Sequence, residues 1–207
     1  MIKYFLIGFV SALPFTISFG PVFFAITETS LKRGFFSGAI VALGILLSDA
    51  IYVALIGLGF AAFFNDEYSN SIFSLLGGIM LLVFGISFLK KKIDLDQTNT
   101  IQISKRPAES FFKGFVINSL NPYVALFWTG VVALASTELD LSENSFYLYF
   151  AGFLLTLFIS DLLKSWLAEF FRKKISSKLN IIYRILGLLF AGFGIKLLWE
   201  SLVYFWN

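Results

Sequence analysis

Six long stretches of this chain, residues 4–27, 34–64, 71–89, 111–135, 146–171 and 179–205, are apolar all round and separated by short polar segments. A helix needs about 20 mostly apolar residues to cross a bilayer core. Lipid offers no water to unpaired backbone groups, so such stretches have to be helical. A β-barrel would need apolar and polar residues to alternate, and here they do not. Composition agrees. The chain is 58% hydrophobic and 14% charged, against about 25% charged in an ordinary soluble domain. So few charges leave a soluble surface uncovered. The reading is an all-α membrane protein with six transmembrane helices. The start of the chain is not read as a cleavable signal, because it has a single basic residue, Lys3, no small-x-small site and too long an apolar run.

The residues that are missing narrow the chemistry. There is no cysteine, which excludes disulfides, thiol redox chemistry and thiolate metal sites. There is no histidine, which removes the usual proton shuttle and the commonest transition-metal ligand. Most hydrolytic triads and HExxH zinc sites are thereby excluded. No cofactor and no metal site are expected, and an enzyme is not.

Loop charges set the orientation, since loops rich in Lys and Arg stay in the cytoplasm. Lys32 and Arg33 occupy the first connection. Lys90, Lys91, Lys92, Lys105, Arg106 and Lys113 lie in or beside the third. Arg172, Lys173, Lys174, Lys178 and Arg184 lie in or beside the fifth. Together these are 13 of the 16 basic residues. The second and fourth connections carry Asp66, Glu67, Glu138, Asp140 and Glu143 and no basic residue. Connections 1, 3 and 5 are therefore placed in the cytoplasm and both termini outside. The net charge of +3 reflects this topology, and nothing resembles a nucleic-acid module. The polar stretch 90–110 reads as a cytoplasmic linker, having Lys, Asp, Gln, Thr and Pro but no aromatic residue. It divides the chain into 1–89 and 111–207, three helices each.

The two halves repeat one another. Phe5-x-x-Gly8-Phe9-Val10 before Leu13-Pro14 matches Phe111-x-x-Gly114-Phe115-Val116 before Leu120-Asn121-Pro122. Ser48-Asp49 matches Ser160-Asp161, and Gly78-x5-Phe84-Gly85-Ile86 matches Gly187-x5-Phe193-Gly194-Ile195. The matches keep their order at offsets of 106, 112 and 109 residues. An odd number of helices per half inserts the second half upside down, giving two inverted three-helix repeats. That is a secondary-transporter architecture, whose binding sites lie where corresponding helices break.

Two breaks correspond. Helix 1 carries Pro14 and then Gly20-Pro21, and helix 4 carries Asn121-Pro122. Proline removes a backbone hydrogen bond and clashes with the preceding turn. Free carbonyls in the break suit an ammonium group, and the helix start after Pro21 suits a carboxylate. Thr16, Ser18, Asn118 and Asn121 add side-chain polarity. The candidate substrate site is therefore Pro14, Thr16, Ser18, Gly20, Pro21, Asn118, Asn121 and Pro122. The competing reading is that these prolines only kink helices for packing.

Three charges fall inside predicted helices: Asp49, Asp161 and Lys164. Each costs about 2.5–3.5 kcal/mol at the membrane centre, so each needs a reason. Asp49 shares a helical face with Gly34, Gly38, Ala42 and Ile45, small residues that admit a neighbouring helix. It is read as a protonatable group or a partner for a substrate amine; the structural alternative is a cap on another helix. Asp161 and Lys164, three apart, can pair with one another, so Asp161 is either half of a structural ion pair or a second coupling acid. Glu28 is read as interfacial. Tyr147, Tyr149, Trp199, Tyr204 and Trp206 are expected in an interfacial aromatic belt. Gly34-x3-Gly38 reads as an internal packing motif, with a homodimer contact as the alternative.

The block Ser18-Phe-Gly20-Pro21, Ser30-Leu-Lys32-Arg33-Gly34-Phe-Phe-Ser-Gly38, Ala42-Leu-Gly44 and Asp49 resembles the LysE/RhtB amino-acid exporter family. Phe115-x2-Asn118-x2-Asn121-Pro122-x2-Ala125-x-Phe127 is similar to that family's second motif. The resemblance covers nearly the whole chain. It implies a multi-pass protein of the bacterial inner membrane that exports amino acids or related small solutes, driven by the proton gradient. The family usually has Pro-Gly-Pro in helix 1, where this chain has Phe19 before Gly20-Pro21, a less rigid break. The other reading is a cation exporter or channel of the wider superfamily, with buried acids and carbonyls holding a hard cation.

Overall fold

The computed structural model describes residues 2–18, 20–60, 67–90, 106–139, 143–172 and 179–206. Most of the linker (91–105), Phe19, the loop acids Asp66 and Asp140, and Lys173, Lys174 and Lys178 lie outside the described residues.

Every described element is helical. In order they are α1 (Ile2–Ser11), a 3₁₀ turn (Leu13–Thr16), α2 (Pro21–Leu55), a π-helical turn (Ile56–Phe60), α3 (Glu67–Lys90), α4 (Pro107–Ser119), α5 (Pro122–Leu139), α6 (Glu143–Phe170) and α7 (Leu179–Trp206). Proline opens α2, α4 and α5, at the position where its missing N–H costs nothing.

The predicted first helix is broken where its prolines stand. Residues 4–27 divide into α1, the Leu13–Thr16 turn and the start of α2. The fourth breaks likewise: Pro107–Ser119 and Tyr123–Ser136 are bent by 68° across Leu120 and Asn121. Between residues 21 and 55, Gly34 is not helical, with φ 80° and ψ 172°. That left-handed φ suits glycine. In a straight helix residues eight apart would be about 12 Å apart, yet Gly38 packs against the Ser30 side chain. Ala25 and Ile26 pack against Val41 and Ile45. The chain therefore turns back on itself at Gly34, as the Lys32-Arg33 connection requires.

Three runs, Pro21–Leu58, Asn144–Phe170 and Tyr183–Tyr204, are each long and apolar enough to cross a bilayer, and the bent pair across Leu120 and Asn121 qualifies as a fourth. The molecule is an all-helical membrane protein.

Small residues decide which helices touch. A Cβ on Gly8 would fall on the Tyr149 carbonyl, and one on Gly152 on the Phe5 carbonyl, which seats α1 on α6. A Cβ on Gly44 would fall on the Phe111 carbonyl, and one on Gly114 on the Val41 carbonyl, which seats α2 on α4. In α3 and α7, Gly78 meets the Gly194 backbone and Gly85 meets the Gly187 backbone, an antiparallel crossing. Backbone-to-backbone approach of this kind drives association where lipid removes the hydrophobic incentive.

One detail differs from expectation. Tyr149 is buried in a cluster with Trp128, Phe150 and Phe153 and is no belt residue; it faces Gly8, and the missing Cβ there makes room for its backbone. Tyr147, Trp199 and Trp206 are exposed, at 53%, 69% and 93%. Glu28 is buried by the protein, and two lysines reach it: Lys32 Nζ lies 3.1 Å from its Oε1 and Lys113 Nζ 3.2 Å from its Oε2.

Candidate functional site

The broken segments leave a space. A cavity of about 670 Å³ is bounded by residues on both sides of the first break, from Pro14 to Phe15 and from Gly20 to Phe23, by Asn118, Asn121 and Phe127 at the second, by Asp49 of α2 and Asp161 of α6, and by Leu81, Phe190 and Phe193. It lies between an aromatic cluster around Trp128, Phe150 and Phe153 and two smaller apolar clusters around Ile26 and Phe190.

Eight of the ten candidate residues line it: Pro14, Ser18, Gly20, Pro21, Asn118, Asn121, Asp49 and Asp161. Thr16 does not. Its hydroxyl turns back to donate to the Leu13 carbonyl at 2.7 Å, and its carbonyl accepts from Ser160 Oγ at 3.2 Å. Pro122 starts α5, and its side chain lies outside the described residues.

Asp49 is buried, with the expected face of Gly34, Gly38, Ala42 and Ile45 turned inward. Its Oδ1 accepts from Asn118 Nδ2 at 2.7 Å and from Trp128 Nε1 at 2.8 Å. Asn118 Nδ2 also reaches the Ile45 carbonyl, at 3.4 Å. Nearby, Tyr52 Oη donates to the Ser119 carbonyl at 2.7 Å, and the Ser48 and Ser119 hydroxyls are 2.8 Å apart. These bonds tie α2 to the end of α4, where the bend frees carbonyls. Among the described residues no cation pairs with Asp49.

Asp161 and Lys164 do pair, Oδ1 to Nζ at 2.8 Å, and both line the cavity. An ammonium has three donors, so the bond to Asp161 leaves others to face the cavity.

The two helix starts differ. Asn121 Oδ1 accepts from the Tyr123 N–H at 3.2 Å, so α5 is capped by its own asparagine. The start of α2 at Gly20-Pro21 has no side-chain cap.

Sequence reasoning missed Trp128, which is fully buried. A usable signal existed: it lies far from either end of its apolar stretch, and a buried indole N–H needs an acceptor. It also missed the aromatic wall of Phe15, Phe127, Phe190 and Phe193, because 27 phenylalanines give no way to tell lining from lipid contact.

The LysE type translocator family matches residues 13–201. The chain is 27% identical over 202 residues to the Bacillus subtilis (strain 168) protein named "Putative amino acid efflux protein YcgF", covering 93% of this chain and 97% of that protein. It is 25% identical over 199 residues to the Escherichia coli (strain K12) "Uncharacterized membrane protein YahN", covering 90% of this chain and 86% of that protein. No solved structure matches.

Proposed function

The chain belongs to the LysE type translocator family, and we propose that it is a secondary transporter exporting amino acids or related small solutes across the bacterial inner membrane. The observation that carries the reading is the cavity where two proline-broken helices meet, with Asp49 in its wall and, among the described residues, no cation paired to it. The name of the Bacillus subtilis relative supports it.

The proposed mechanism places a substrate ammonium on Asp49, in the cavity wall. The breaks at Pro14, Gly20-Pro21 and Asn121-Pro122 let the flanking helix segments tilt separately. The coupling proton falls to a carboxylate, either Asp49 in exchange for the substrate ammonium or Asp161 as second candidate; without histidine, carboxylates are the groups suited to it.

Six spans in two inverted repeats are part of the same proposal. The helix contacts support it, because they come in exchanged pairs. Gly8 and Gly114 are matched repeat positions, and each sits on the other half's second helix. Gly78 with Gly194 mirrors Gly187 with Gly85. In this scheme the Glu28–Lys113 pair joins α2 to α4 at the cytoplasmic end, closing that side while the halves rock about the midplane.

Counterflow in proteoliposomes tests the reading: amino acids inside should drive uptake of labelled amino acids. The second reading, a cation exporter or channel, draws on Asp49 and Asp161 lining one cavity beside freed carbonyls. Cation flux without amino-acid counterflow would favour it.

A further inference from the structure

We infer that the transported solute is an amino acid with a bulky, uncharged, apolar side chain, held by its ammonium at Asp49, by its carboxylate at Lys164, and by its side chain against an aromatic wall. The inference rests on the export reading above and narrows it.

The charges in the cavity wall are few. Among the described residues its charged members are Asp49, Asp161 and Lys164. Asp161 and Lys164 already satisfy each other at 2.8 Å. Both donors to Asp49 go to Oδ1, which leaves Oδ2 for an ammonium group. The further donors of Lys164 accept a carboxylate without breaking its bond to Asp161. An α-amino acid uses both of these positions.

A charged side chain finds nothing left. A second carboxylate would have to share Lys164 with Asp161. A second ammonium would have to draw Asp161 away from Lys164. Either leaves a charge poorly matched inside the membrane, where such charges are expensive. An apolar side chain meets Phe15, Val22, Leu81, Phe127, Phe190 and Phe193. The Phe15 ring stands edge-on to Phe127 with centroids 5.1 Å apart, so the unwound segment itself contributes to this wall. A volume of about 670 Å³ falls within the range of small-molecule sites and takes a leucine- or phenylalanine-sized solute.

The test is competition in leucine counterflow, with the full-length protein in proteoliposomes. Unlabelled leucine and phenylalanine should compete at concentrations about tenfold or more below alanine, since each methylene in an apolar pocket discriminates by about tenfold or more. Lysine and glutamate should not compete. Phe15→Thr and Phe193→Thr should each narrow the leucine-over-alanine preference several-fold. Both side chains are about half exposed, at 44% and 49%, so the variants should fold. Lysine or glutamate competing as well as leucine overturns the inference and leaves the export reading standing, as does a preference unchanged in both variants. Failure of every amino acid to exchange, with the protein folded, overturns both.

Discussion

Trp128 Nε1 donates a 2.8 Å hydrogen bond to Asp49 Oδ1, tying the middle of α5 to the middle of α2. With the Asn118 bond at 2.7 Å, it fixes the carboxylate in the cavity wall using one of its two oxygens. An acid pinned in this way, with no cation beside it among the described residues, is prepared to receive something else.

The first prediction concerns that carboxylate. Asp49→Asn keeps the shape and removes the charge, so export should be abolished while the protein still elutes as a folded species by size exclusion. Normal counterflow from this variant would remove Asp49 from the mechanism. Trp128→Phe keeps the ring and loses one donor, worth about 1–3 kcal/mol. It should slow export about tenfold without abolishing it.

The Asp161–Lys164 pair separates structure from function. Both side chains are mostly buried, at 10% and 17% exposure. Asp161→Asn alone strands a lysine and should cost about 3 kcal/mol, the scale of breaking a buried pair. Asp161→Asn with Lys164→Met removes both charges and should recover most of that stability, as read by thermal melting in detergent. The double variant should still fail at export. Wild-type counterflow from it would make the pair purely structural.

Helix contact through glycine predicts a sharp positional contrast. Gly44→Val would push a side chain into the Phe111 carbonyl, so α2 and α4 must separate. Overpacking of this sort costs about 1–3 kcal/mol. Gly130 has nothing within 4 Å of a would-be Cβ, and Gly130→Ala should leave the melting temperature unchanged or slightly raised. Equal effects at the two positions would contradict the packing.

In the middle of α4, Lys113→Met removes one ion pair of Glu28 and keeps the one to Lys32. The two lysine side chains are about a third exposed, at 34% and 39%, so solvent screening holds the stability loss to about 1 kcal/mol. Transport should change more than stability does. If this pair closes the cytoplasmic side, the variant should leak, seen as solute efflux from loaded proteoliposomes without an exchange partner. Tight vesicles would place the closure elsewhere.

Because the chain has no cysteine, topology can be read with single introduced ones. Asp66→Cys and Lys91→Cys should label from opposite sides of the membrane. Labelling from the same side would overturn the inverted topology.

Much was legible in order along the chain. Apolar runs longer than a bilayer is thick force helices, and proline forces breaks, so the interruptions at Pro14 to Pro21 and at Asn121-Pro122 followed from backbone chemistry alone. The turn at Gly34 followed from Lys32 and Arg33, which resist burial. The inward face of Asp49 followed from small residues at helical spacing. These properties belong to one residue or one helix, and sequence records them directly.

What needed the folded molecule were relations between helices. Glu28 gave no sign of its distant partner until Lys113, 85 residues away, was seen to reach it. Tyr149 looked like a belt residue until Gly8 was found to admit it. Thr16 looked like a ligand until its hydroxyl turned back to Leu13. Trp128 carried no visible role until the bend in front of α5 aimed it at Asp49. The sequence alone determined that this chain is helical, membrane-embedded and broken at two places, because those properties depend on local hydropathy and backbone constraint. Tertiary structure decided which side chains share one cavity and which donors hold Asp49, because those depend on distances between residues that the chain order does not encode.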